Sequence, residues 1–192
     1  MLMRAVVLRG SAEQIAMADW LMSQLAPYGV RAPEFQLSSG DDRIVRVIHG
    51  DFITTPQQLS EASTLLRGIT DIRRVFSYNR GRLTVLRGTG EQMVVAEWLY
   101  KQLAAKPKER AILYAGAVPE AGNRPAAAVA DQLTLFFTSV TDRDALNKAA
   151  AEVRTGADVG RVFTYAPVSA LAVRGTAAQL STADRILKDK GY

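Results

Sequence analysis

The chain has no cysteine and a single histidine, His49. The first absence removes disulfides, thiolate metal sites and cysteine nucleophiles. It leaves the compartment open, because a cysteine-free protein suits oxidising and reducing surroundings alike. The second leaves no His-rich metal spacing, and neither a phosphate-cradling glycine loop nor a nucleophile elbow is present. No window approaches the roughly 18 consecutive apolar residues that span a bilayer, and Arg4 and Arg9 interrupt the first apolar run too early for a signal-peptide core. Asp41 and Asp42 are adjacent, so in an extended strand they face opposite ways; they are expected to solubilise the start of a strand, not to act as a carboxylate pair. No active site, cofactor, metal or small-molecule ligand is assigned, and a non-enzyme is expected.

What is present is ordinary soluble-protein composition: 192 residues, 48% hydrophobic and 22% charged, enough for one large domain or two small ones. The net charge of +5 comes from 24 Lys and Arg against 19 acids, with the signs mixed along the chain. Such an excess permits anionic partners without requiring them.

The organising feature is a repeat. Arg4 to Leu25 aligns without gaps on Arg82 to Leu103, with 12 of 22 positions identical, and a third copy starts at Ser169. Each copy is a short β-prone run ending in Arg-Gly, followed by apolar residues at helical spacing. The junctions Ser11-x-x-Gln14, Thr89-x-x-Gln92 and Thr176-x-x-Gln179 are capping boxes, in which hydroxyl and amide side chain satisfy each other's orphan backbone donors. Upstream of the second and third copies lie further strands, from Arg43 and Gln132. Helices opened by Thr55-Pro56 and Thr141-Asp142 follow, then strands from Arg73 and Arg161. Pro56 suits a first helical position, where its missing amide costs nothing. The complete unit is βαββα. The expected organisation is α+β: a truncated βα half-module at 1–27, modules at 43–105 and 132–192, and linkers at 28–42 and 106–131, with AILYAG in the second linker as a candidate short strand. Each module is expected to be a small mixed sheet covered on one face by two helices.

A strand, a helix ending near Asp71-x-Arg73-Arg74 or Asp158-Val159-Gly160-Arg161, and a hairpin running into Arg-Gly-Thr-x-x-Gln together resemble the ring-building N-terminal repeats of bacterial secretins. That resemblance implies a KH-like βαββα fold and a non-catalytic role in a secretion or cell-envelope system. It also implies protein partners, through self-association or contact with other secretion components. The chain starts inside a module. Residues ahead of Met1 that completed it and carried an export signal would place the protein in the periplasm; otherwise the expectation is cytoplasmic.

Two constellations stand out. On the first helix, Ile15, Ala18, Leu21, Met22 and Leu25 form the expected core face, and Trp20 points nearly opposite, flanked by Ala16 and Met17. The second copy places Val94, Val95 and Trp98 at the corresponding positions, whereas the third has Ser181, Thr182 and Arg185. Met17, Trp20, Val94, Val95 and Trp98 are thus candidate interface residues. In the competing reading each Trp lies against its own linker. The second constellation is the hairpin of Arg73, Arg74, Phe76, Tyr78, Arg80, Arg82 and Arg87, where cations and aromatics would suit phosphates and bases. It carries the alternative function, a KH-like nucleic-acid binder, although the Gly-x-x-Gly loop of KH domains is absent. Arg9, Arg87 and Arg174 recur with the repeat and are expected to be solvated residues at strand ends. His49 is taken as structural, with Thr138 as its counterpart in the third copy.

Overall fold

The computed structural model describes residues 6–25, 34–105, 108–119 and 131–192. Helix α1 (Ala12–Leu25) comes first, followed by strands β1 (Glu34–Gln36) and β2 (Ile44–His49), helix α2 (Pro56–Thr70), strands β3 (Arg74–Tyr78) and β4 (Leu83–Gly88), and helix α3 (Gly90–Ala105). The same order repeats as β5 (Ala111–Leu113), β6 (Gln132–Phe137), α4 (Arg143–Gly156), β7 (Arg161–Tyr165), β8 (Ala170–Gly175) and α5 (Ala177–Asp189).

The strands form two four-stranded sheets, ordered β1-β2-β4-β3 and β5-β6-β8-β7. Every pairing is antiparallel, so neither sheet is mixed. The edge strands β1 and β5 come from segments read as linkers, and β5 coincides with the start of AILYAG. The two hairpins turn alike, through residues 79–81 and 166–168 as single 3-10 turns closed by left-handed residues Arg82 (φ 50°) and Ser169 (φ 52°). The register pairs His49 with Leu83 and Phe137 with Ala170, so the counterpart of His49 is Phe137, one residue earlier than Thr138.

All three capping boxes form. The amides of Gln14, Gln92 and Gln179 donate to the hydroxyls of Ser11, Thr89 and Thr176, while each Gln Oε1 accepts from the cap residue's own amide. Thr55 and Asp142 cap α2 and α4, with Pro56 in the first turn of α2.

The modules share a core. One apolar cluster joins Leu59, Ala62, Leu66 and Ile69 of α2 and Met93, Ala96 and Leu99 of α3 to Leu133, Leu135, Tyr165, Ala170 and Ala172 of the second sheet. A second cluster lies on that sheet's other side, where Phe136, Leu171 and Val173 meet Leu146, Val153, Leu180 and Leu187 of α4 and α5. Alternation along a strand sends successive side chains to opposite faces, so a sheet sandwiched between helices is apolar throughout. Strand β8 is buried over its whole length. The second sheet is therefore covered on both faces, where one covered face was expected, and the helix lying over β7 and β8 is α2 of the preceding module.

Candidate interaction surface

The seam between modules depends on small residues. At Gly68 of α2 an added Cβ would sit 2.0 Å from Cζ of Phe163, so only glycine lets the helix approach this ring. Ala170 and Ala172 stand where the first sheet has Leu83 and Val85, which thins the surface under the helix.

Charge locks the seam at one end. Helix α2 is terminated by Asp71 in the left-handed conformation (φ 60°), which puts a carboxylate at the negative pole of the helix dipole. Arg161 and Arg174, directly opposed on β7 and β8, would repel one another unaided. Asp71 answers both: its Oδ2 accepts from Nη1 of Arg161 and, at 2.8 Å, from Nη1 of Arg174. Arg174 also donates to Asp131 Oδ2 (3.1 Å), to the Ile69 carbonyl (2.8 Å) and to the Pro119 carbonyl (2.6 Å). It is 3% exposed. The expectation of a solvated residue at the strand end is thus wrong for Arg174, because recurrence of the Arg reflected an ion-pair position. Asp42 is corrected likewise. It does more than solubilise, since its carboxylate pairs with Arg74 (3.3 Å) and Arg87 (3.0 Å) and its carbonyl accepts from Arg87 Nε (3.0 Å). Glu61 of α2 also bridges the seam, accepting from the Ala166 amide (3.2 Å) and pairing with Arg143.

The first sheet repeats this surface, and among the described residues no helix covers it. Phe76 and Tyr78 hold the positions of Phe163 and Tyr165, and Arg74 and Arg87 those of Arg161 and Arg174. Phe76 is 64% exposed, whereas Tyr165 is fully buried. Of the nucleic-acid candidates, Arg74, Phe76, Tyr78 and Arg87 share this sheet face, whereas Arg80 and Arg82 sit in the exposed turn. Arg73, Arg74 and Arg87 also line a cleft of about 740 Å³ together with Asp41, Asp42 and Asp71, so carboxylates interleave with its cations.

The interface candidates divide. Trp20 packs on Phe35 of β1 (centroids 5.8 Å apart) and Trp98 on Tyr114 just after β5 (5.1 Å), so each Trp lies against the segment following its own helix. Val95 is buried in the shared core, Val94 is 54% exposed and Met17 is half-buried. The expected core face of α1 is corrected. Of its residues Ile15, Met22 and Leu25 are exposed and Ala18 and Leu21 are half-buried, while Glu13, Met17, Trp20 and Gln24 also turn inward. Residues 6–9, expected as a strand, are not in one, and Val6, Val7 and Leu8 are exposed. The physical reason is common to both: among the described residues nothing completes the module around them. Glu13 anchors α1 by accepting from the Ser38 amide (2.5 Å), a bond that holds its carboxyl below the usual range. At β1, hydrogen bonds from Arg46, then Gln36, do the same for Glu34.

Among the described residues no group of three or more His, Asp or Glu side chains is placed to hold a metal, and no helix is long and apolar enough to cross a membrane.

No protein-family model matches the chain, and no curated protein matches it in sequence. Among solved structures it is similar to the N-terminal domain of the secretin XcpQ from Pseudomonas aeruginosa, at 13% identity and a TM-score of 0.33, covering 95% of this chain and 78% of that one. It is also similar to ExeD of Aeromonas hydrophila, at 9% identity and a TM-score of 0.26, covering 77% of this chain and 27% of that one. At this level of superposition neither likeness carries a functional argument.

Proposed function

We propose that this protein is a non-enzymatic assembly module that works by stacking βαββα units, in the secretion or cell-envelope setting that its repeat motifs suggest. The observation that carries the reading is the contrast between equivalent faces: Phe163 and Tyr165 lie under a helix, whereas Phe76 and Tyr78, at the same positions, are exposed. An apolar, aromatic sheet face left open beside an occupied twin suits a protein partner.

The test is a photo-reactive phenylalanine at Phe76 of the full chain, activated in the cells that make it. A cross-linked product removed by protease and resistant to nuclease is expected. A nuclease-sensitive product would favour the second reading, nucleic-acid binding through Arg73, Arg74, Phe76, Tyr78, Arg80, Arg82 and Arg87. The exposed aromatics beside Arg74 favour that reading, while the engagement of Arg74 and Arg87 by Asp42 counts against it.

A further inference from the structure

The open face of the first sheet is specific about what would fill it. Two helices precede and cover the second sheet's outer face: α2 over β7 and β8, and α3, whose Trp98 packs on Tyr114 beside β5. On the first sheet the second of these positions is already taken, because α1 places Trp20 on Phe35 of β1 in the same relation. Among the described residues no counterpart of α2 lies over β3 and β4. Phe76, Tyr78, Arg74 and Arg87 mark that half of the face.

Charge points the same way. In the occupied seam two opposed arginines are held by two carboxylates, Asp131 from their own module and Asp71 from the arriving helix. In the open one, among the described residues, Arg74 and Arg87 pair with Asp42, which takes the role of Asp131 from one residue further ahead of its strand, and with no carboxylate from a covering helix, although Asp41 and Asp71 line the same cleft.

Among the described residues the same element is absent around α1. The residues of α3 that α2 helps to bury, Met93, Leu99 and Leu103, correspond to Ile15, Leu21 and Leu25, of which Ile15 and Leu25 are exposed. Residues 6–8 correspond to β4, which in a complete module is flanked by two strands. The turn joining them to α1 is already built, with Gly10 packed on Gln14 as Gly88 is on Gln92.

We infer that the α1 half-module and the Phe76 face together bind a β-α-β partner of the same build as residues 43–81. Its strands flank residues 6–8. Its helix lies over Phe76 with a glycine at the contact, and its C-terminal cap carries an Asp or Glu between Arg74 and Arg87. A second copy of this chain does not meet these terms. Its free helix α4 has Glu152 and Thr155 where α2 has Leu65 and Gly68, and it would bring α5 into the place of α1. The inference names the partner class within the assembly reading and rests on it.

The test joins a copy of residues 43–81 directly to Arg4 of the otherwise full chain, which reproduces the natural junction between Gly81 and Arg82. Hydroxyl-radical footprinting should show severalfold slower oxidation of Phe76, Tyr78 and Met22 than in the parent, and amide exchange at residues 6–8 should slow. A matched chain whose added copy carries Gly68→Phe and Asp71→Lys should lose that protection. Should the joined chain misfold, as reported by loss of protection at Tyr100, the segment 43–81 added as a separate peptide decides by the same footprint. Unchanged reactivity at Phe76 and Tyr78 in a folded joined chain would overturn the inference. So would protection of these residues in the parent as its concentration rises, because the occupant would then be a second copy. Both results leave the cross-linking test of the assembly reading standing.

Discussion

At the residue scale, the repeat places one arginine in three environments. Arg9 is exposed, Arg87 is half-buried and Arg174 is buried between two modules. The sequence position is the same; the cost of removing the side chain is not. Truncation of Arg174 would strip Asp71 and Asp131 of a shared cation and leave two carbonyls without a donor, in a region water reaches poorly. Breaking a buried, hydrogen-bonded pair costs about 3–5 kcal/mol, and because both carboxylates keep some solvent contact the lower part of that range is expected for Arg174→Ala. Arg87 pairs with an Asp42 that is 42% exposed, so Arg87→Ala should cost no more than about 1 kcal/mol. Urea unfolding of the two variants measures the difference directly. Equal losses would mean that the contacts of Arg174 contribute no more than a surface pair.

At the element scale, α2 is the unusual helix, since it serves as cover for its own sheet and for the next one. Leu59, Ala62, Leu66 and Ile69 are the positions a 3.6-residue period assigns to one core, and Gly68 lies off that stripe, against Phe163. A glycine inside a helix normally costs about 0.5–1 kcal/mol relative to alanine. Gly68→Ala should nonetheless destabilise the protein by about 1–3 kcal/mol, as overpacking does, because the new methyl meets the ring. In a Phe163→Ala background the same change should be neutral or stabilising, a sign reversal that a double-mutant cycle by thermal unfolding would detect. If Gly68→Ala stabilises the parent, the close approach of α2 to β7 is not what glycine is there for. This helix also shows where the sequence was legible. Periodicity and the capping boxes located every helix core, and the strand pattern located the hairpins, because these are local properties. The stacking of α2 on the second sheet was not legible as such. Its traces were a glycine in the last turn of α2 and alanines at 170 and 172 in place of leucine and valine. Each is a small departure between copies, and its meaning depends on a contact some 100 residues away in sequence. The same limit misplaced the faces of α1, whose hydrophobic period describes a core that the described residues do not complete.

At the scale of the whole molecule, the shared core implies that the two modules unfold together. Phe52 sits at the joint, with its ring 5.6 Å from Tyr100 of the first module and 6.2 Å from Tyr165 of the second. Both phenols are titration probes of that joint. Burial pushes Tyr100 up to about 12 from its ordinary 10.0, against a lowering hydrogen bond with Thr84, and burial likewise raises Tyr165, whose hydroxyl has no hydrogen-bond partner among the described residues. A phenol whose folded value is raised contributes stability that is complete below 10.0 and is lost as the pH climbs toward the folded value. The protein should therefore hold its stability up to about pH 10 and lose it steeply between there and about 12, with both modules melting in one transition. Phenolate absorbance followed alongside near-ultraviolet circular dichroism would report this as a single coincident change. Tyr165→Phe removes one of the two alkaline losses together with an unsatisfied buried hydroxyl, so it should move the midpoint upward without weakening the protein at neutral pH. Two separate alkaline transitions, one insensitive to Tyr165→Phe, would mean that the modules are independent units and that the seam through Phe52, Gly68 and Arg174 does not couple them.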